Sequence, residues 1–349
     1  MRVLAITHSL GSNGAALCLC RLLVAIKAAG GSADVIYDGN EALAQYLQEH
    51  GVGIIKQAQT KHYDVALVNT LIDYRWVKDL EAFLPVVFWV HEGTSLLDND
   101  MGSAQGWMQA FRLSSRLVFD RPFQLQTVFK SFLNGIEPHR LLHVDPGVVV
   151  PPEARGTPNG NKPGRNIVTV GSVYHRKRPG DIVEAVMRMA DPEVHCTIVG
   201  SLEWINTNGQ PMQEAIANNP HLYTLAGQVS DERKLQYLRD AHVFCSASGD
   251  ETFGIAAIEA ASMGLPLALS DLPCYEGIWK HGMNALLAPV GAIDCLSWNL
   301  KALTQDRNLA SRLTHAAMQT SARFTLDRFV SAMTDVLSQA IQDPIRRFV

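Results

Sequence analysis

The chain contains no apolar run long enough to span a bilayer, and Met1 to His8 is too short an apolar stretch for a secretory signal. A cytoplasmic protein is expected, with room left for a peripheral contact at the membrane's inner face. The six cysteines, Cys18, Cys20, Cys196, Cys245, Cys274 and Cys295, include no C-x-x-C spacing. That counts against a zinc or dithiol redox site and favours reduced, buried thiols. A strong basic field is also missing: the net charge of −4 argues against nucleic acid as a partner. No G-x-G-x-x-G follows the first apolar run, which disfavours a dinucleotide-dependent dehydrogenase, and no P-loop Lys-Ser/Thr is present. No constellation of His, Cys, Asp and Glu suggests a metal, so neither metal nor cofactor is expected. There is no short internal repeat.

What the sequence does have is enough apolar content for two cores. Its 349 residues exceed one comfortable domain, and 47% hydrophobic with 18% charged residues is ordinary for a soluble globular chain. Apolar runs at 3–6, 34–37, 65–68, 86–90 and 117–119 read as strands separated by helical patterns, the first helix spanning about 15–29 and ending at Gly30 and Gly31. Pro151 to Gly164 is rich in Pro, Gly and polar residues and reads as a linker. A second series follows, with strands at 167–170, 196–199, 243–246 and 267–269. Its helices are expected at about 180–190, 231–240, 254–263, 292–304 and 306–322. Alternating strands and helices imply parallel sheets covered on both faces. The expected organisation is a first Rossmann-like domain over 1–150, a linker over 151–166 and a second such domain over 167–322. A terminal helix within 323–349 would pack back toward the first. Two facing halves of this kind place ligands in the cleft between them.

The most informative segment runs from Cys245 to Pro266. A strand ends near Ser246, a polar loop carries Glu251, and a helix begins near Phe253 or Gly254 and stops at Gly264. The N–H groups of Phe253, Gly254 and Ile255 at such a helix start can bind a phosphate, and Gly254 allows close approach. Glu251 lies just ahead of this start. Glu259 lies two turns inside an apolar helix, where a carboxylate needs a partner. Two carboxylates flanking a phosphate-ready helix start suit a nucleotide sugar. Upstream, Arg176, Lys177 and Arg178 follow the strand ending at Val170 and Gly171, and three cations there can neutralise a diphosphate. The loop from His8 to Ala15 is rich in small residues, with Gly11 and Gly14 as candidates for presenting N–H groups to phosphate.

Together these residues resemble the E-x7-E segment of glycosyltransferase family 4, retaining enzymes of the GT-B fold. Glu251, Phe253-Gly254, Glu259-Ala260 and Gly264-Leu265-Pro266 fall on that pattern, with Thr252 where Gly is common. The resemblance continues through Asp271-Leu272-Pro273 to Asn284. It implies that Glu259 holds the donor's ribose and Glu251 its sugar. Lys177, with Arg176, would stabilise the leaving diphosphate. Ser172 stands where the family often has Arg, which is why Arg176 is assigned that part. His91, in Val90-His91-Glu92, matches a family His near the reaction centre, with Glu92 in place of the usual Asp. Gly200 and Val229 lie in loops that resemble those near the diphosphate and nucleobase, while Leu202 to Gly209 departs from the family's short turn. The implied activity is metal-free transfer of a sugar from a nucleotide diphosphate-sugar to a carbohydrate, lipid-linked or small-molecule acceptor. A nucleotide-sugar epimerase and a non-catalytic nucleotide-sugar binding module are the alternatives.

Overall fold

A computed structural model describes residues 1–11, 13–39, 41–98, 104–151, 165–173, 175–202 and 210–342. Residues 152–164 of the linker-like stretch and 203–209 of the long turn lie outside the described residues. The chain divides into two compact units: Met1–Gly147 with Phe324–Val349, and Val148–Arg323.

The first unit is built on seven strands, β1 (Arg2–Ile6), β2 (Ser32–Ile36), β3 (Gly53–Ile55), β4 (Val65–Asn69), β5 (Val86–Val90), β6 (Arg116–Phe119) and β7 (Leu141–His143). All pair in parallel in the order β3-β2-β1-β4-β5-β6-β7. Every residue of β4 and β5 is buried, as helices on both faces of a parallel sheet require. The helix Gly14–Ala28 begins where the Asn13 side chain accepts from Ala16 N–H at 2.9 Å, and the chain leaves it through Gly30 at φ 83°. The helix Leu326–Gln342 belongs to this unit too. It buries Phe329, Met333, Val336, Leu337 and Ala340 along one stripe, against Gly14–Ala28 and β5. Phe329 meets the Trp89 ring at 5.6 Å.

The second unit has six parallel strands: β8 (Arg165–Val170), β9 (Val194–Val199), β10 (Tyr223–Gly227), β11 (Val243–Ser246), β12 (Leu267–Ser270) and β13 (Leu286–Ala288). Their order is β10-β9-β8-β11-β12-β13. Ile182, Val183 and Val186 of the helix Pro179–Arg188 meet Leu296, Leu300 and Leu303 of the helix Ile293–Gln305 in one core over these strands. Both units therefore show the Rossmann-like pattern, in which the strand order reverses beside the first strand.

Each expected strand corresponds to an interior strand, with β2 displaced so that Tyr37 falls just beyond it. The four strands the sequence did not announce, β3, β7, β10 and β13, are the four sheet edges. The helix expected over 254–263 spans Ile255–Ser262, with Gly254 as its cap. All six cysteines are free, five of them buried. Among the described residues no helix is long and apolar enough to cross a membrane, and no three metal-ligating side chains gather.

Candidate functional site

In the second unit the reversal of strand order falls between β8 and β11. Ligands of open parallel sheets bind outside the strands' carboxyl ends at such a point. Two loops meet there. The loop after β8 carries Arg176 and Lys177; the loop after β11 carries Glu251. Lys177 Nζ donates to Glu251 Oε1 in an ion pair, and Ser248 Oγ donates to the same oxygen at 2.7 Å. Arg176 lies 3.8 Å from Glu251 Oε2 and donates to the Asp250 carbonyl at 2.8 Å. Gly249 N–H donates back to the Arg176 carbonyl at 2.8 Å. The loops are thus stitched together, with two cations and one carboxylate held at their junction. Gly171, Ser172, Lys177, Ser246 and Ser248 line a small open recess beside it.

The helix start lies next to this junction. Phe253 is buried in the core, so only its backbone faces the loop, and Thr252 is half-buried. Gly254 adopts φ +82°, and a Cβ there would come within 2.8 Å of the Tyr275 ring and hydroxyl. Glycine is required twice over, by backbone conformation and by the tyrosine beneath it. The first internal bond of this helix runs from Ala257 N–H to the Gly254 carbonyl at 3.0 Å, which leaves the Ile255 and Ala256 N–H groups ahead of it as the partly positive end of the helix. A second glycine is equally constrained. A Cβ on Gly200 would sit 2.0 Å from the Gly171 carbonyl oxygen, so the ends of β8 and β9 touch through bare backbone. Val229 is half-buried in the loop after β10.

Glu259 is only 2% exposed. Its partner, which the sequence reading did not find, is Lys234 of the helix Asp231–Asp240, whose Nζ lies 3.1 and 3.0 Å from the two carboxylate oxygens. Burial opposes the charge on Lys234, but Glu259 and Asp231 outweigh it and raise its pKa. In a helix this polar, Lys234 reads from sequence as one more solvated cation. Ser248 and Tyr275 were missed for a similar reason: nothing local marks a serine two residues past a strand, or a tyrosine under a glycine 21 positions earlier.

In the first unit His91 follows β5 but is largely buried. Its Nδ1 donates to Asp120 Oδ2 at 2.9 Å, and its Nε2 meets the Asn69 side-chain amide at 2.9 Å. Both ring nitrogens are thus committed within the unit. Gly11 N–H bonds Ser9 Oγ at 3.1 Å, and Glu41 Oε2 accepts from Leu10 N–H at 2.6 Å. A carboxylate therefore occupies the side of this loop expected to face a phosphate. Gly14 is exposed as the first residue of its helix.

Glu92, next to His91, is half-buried and accepts from Leu71 N–H at 2.9 Å and His91 N–H at 3.0 Å. Burial pushes its pKa from 4.5 to about 7. Between these values the folded chain keeps a proton that the unfolded chain has lost, so the stabilisation is full below 4.5 and disappears as pH rises through about 7. Denaturant midpoints measured from pH 4.5 to 8 are expected to show this decline, and Glu92→Gln to flatten it while lowering the overall midpoint.

Both units carry the Rossmann-like sheet, and the whole chain has the GT-B fold. It superposes on the crystal structure of Anabaena Alr3699/HepE in complex with UDP and glucose with a TM-score of 0.78, at 18% identity, over 97% of this chain and 100% of that one. Residues 152–320, nearly all of the second unit, match the family described as Glycosyl transferases group 1. The phosphatidyl-myo-inositol mannosyltransferase of Mycobacterium leprae (strain TN) is 30% identical over 167 residues, 46% of this chain and 43% of that protein. The 2-deoxystreptamine N-acetyl-D-glucosaminyltransferase of Niallia circulans is 26% identical over 167 residues, 46% of this chain and 41% of that protein. The chain thus matches less than half the length of these relatives. The likenesses support glycosyl transfer.

Proposed function

We propose that the chain is a retaining, metal-independent glycosyltransferase of the E-x7-E type. It takes a sugar from a nucleotide diphosphate-sugar and passes it to a carbohydrate, lipid-linked or small-molecule acceptor. The observation that carries this reading is the junction in the second unit, where Lys177, Arg176 and Glu251 converge beside the helix start at Gly254. A departing diphosphate would find two cations and a fan of backbone N–H groups there, already fixed in place. Glu251, tied by Lys177 and Ser248, would receive sugar hydroxyls. An ionised carboxylate has about four acceptor directions, so Glu259 could take ribose hydroxyls while keeping Lys234. The family resemblance assigns His91, held by Asp120 and Asn69, to the reaction centre. The relatives named for mannosyl and N-acetylglucosaminyl transfer, and the UDP- and glucose-bound neighbour, support a nucleotide-sugar donor without naming the base.

The test is a thermal-shift panel of UDP-, GDP-, ADP- and TDP-sugars, since a ligand that binds only the folded state stabilises it. One nucleotide series should raise the melting temperature, and the selected donor should yield a product that keeps its anomeric configuration by NMR. No shift from any donor, or an inverted product, would defeat the respective part of the reading.

A further inference from the structure

The sheet of the first unit has its own reversal point, between β1 and β4. His8 follows β1, and Thr70 and Asp73 follow β4. The His8 backbone N–H donates to Asp73 Oδ2 at 2.9 Å, and the ring Nδ1 reaches the same oxygen at 2.9 Å. An ionised carboxylate only accepts, so neutral His8 carries its proton on Nδ1 and a bare lone pair on Nε2. Among the described residues no hydrogen-bond partner meets Nε2, and the side chain is 35% exposed. The contrast with His91, whose two nitrogens are both engaged, is direct.

The surroundings hold this ring still. Thr70, with its Oγ1 3.2 Å from His8 Nδ1, sits at φ 78°, a left-handed conformation that is costly for a β-branched residue. Backbone strain of this kind gathers at ligand sites. From the other side Glu41 fixes the loop after His8, accepting from Leu10 N–H at 2.6 Å, Ser9 Oγ at 3.2 Å and Tyr37 Oη at 2.6 Å. An imidazole locked on one nitrogen therefore presents the other at the carboxyl end of the central strands. The hydrogen bond to Asp73, helped by the nearby charge of Glu41, raises the His8 pKa, so Nε2 is bare on the alkaline side of that raised value, and the same negative charge disfavours an anionic ligand.

We propose that His8 Nε2 is a hydroxyl-binding subsite for the acceptor, and that a neutral polyol ring, a carbohydrate or cyclitol, donates one hydroxyl hydrogen to it. The class of ligand rests on the glycosyltransferase reading; the tautomer and the open nitrogen do not. Asp73 is the positioning residue that keeps the lone pair on Nε2.

The experiment uses the full chain labelled with ¹⁵N-histidine, with His8 assigned by comparison with His8→Gln. Two-bond ¹H–¹⁵N spectra of neutral His8 should show Nδ1 protonated and Nε2 bare. Adding myo-inositol or methyl α-glucoside should move the Nε2 resonance, whereas UDP alone should not. In transfer assays with these polyols as acceptors, His8→Gln should raise the acceptor KM about tenfold with the donor KM unchanged. Asp73→Asn should produce a smaller rise, whereas a purely structural role would lower the melting temperature without splitting the two KM values. A protonated Nε2 in neutral His8, or a resonance that neither polyol moves up to its solubility limit, would overturn the proposal. If the chain transfers no sugar at all, the function reading fails and the spectra still decide the subsite.

Discussion

Replacing Lys177 with alanine is expected to lower kcat about 100- to 1000-fold while changing the donor KM by no more than about threefold. The asymmetry follows from where the ammonium sits. Lys177 is held by Glu251 at the end of β8, beside the first-turn N–H groups of the helix Ile255–Ser262. In the proposed reaction, charge on the leaving diphosphate would grow as the bond to the sugar breaks, so a fixed cation there would matter more in the transition state than in the ground state. Arg176 cannot substitute fully, because its guanidinium is engaged with the Asp250 carbonyl at 2.8 Å. Lys177→Arg should recover part of the loss by retaining the charge. Glu251 would keep Ser248 Oγ as a partner in the alanine variant, so the fold should persist. Single-turnover and steady-state kinetics with the selected donor check this. A variant whose loss lay entirely in donor KM would place Lys177 in binding rather than in bond cleavage.

Glu259→Ala is expected to act twice. It removes the carboxylate from Lys234, whose side chain is 14% exposed, and leaves a largely buried ammonium with only the solvent-facing Asp231. The stability lost should be about 2–3 kcal/mol, below the full cost of orphaning a deeply buried charge because Asp231 and some water remain. Separately, if Glu259 holds the ribose as proposed, its loss should weaken nucleotide binding about 10- to 100-fold. The two effects can be separated. Adding Lys234→Met to Glu259→Ala removes the stranded charge and should restore most of the stability, but not the affinity. Denaturant titration and calorimetry with the nucleotide provide the two readouts. Recovery of affinity along with stability in the double variant would mean that Glu259 serves Lys234 alone.

The interior strands were legible because they are continuous apolar runs buried on both faces. The four edges were not, for a physical reason. Each pairs on one side only; β3 is half-buried throughout, and β10 exposes Leu225 at 37%. Such short segments carry too little apolar pattern to stand out from a loop. In the site, Glu251, Gly254 and Glu259 could be read together because they share one strand–loop–helix passage. The Lys177–Glu251 contact joins positions 74 apart, and only resemblance to a family connected them in advance. Periodicity has no access to what a ring nitrogen meets. His91 was singled out by its place in a motif, yet its partners lie 22 and 29 residues away. His8, which drew no attention as an individual residue, is fixed by a carboxylate 65 positions downstream.

The return of Leu326–Gln342 to the first unit sets an order of assembly during synthesis. The second unit is one uninterrupted stretch and can close as soon as it has left the ribosome. The first unit emerges earlier but must wait, its Trp89 side uncovered, until Phe329 and the stripe behind it arrive. The unit that is begun first is therefore completed last. A chain stopped near residue 323 would carry a complete second unit and an unfinished first, with the apolar surface that Phe329 covers left open.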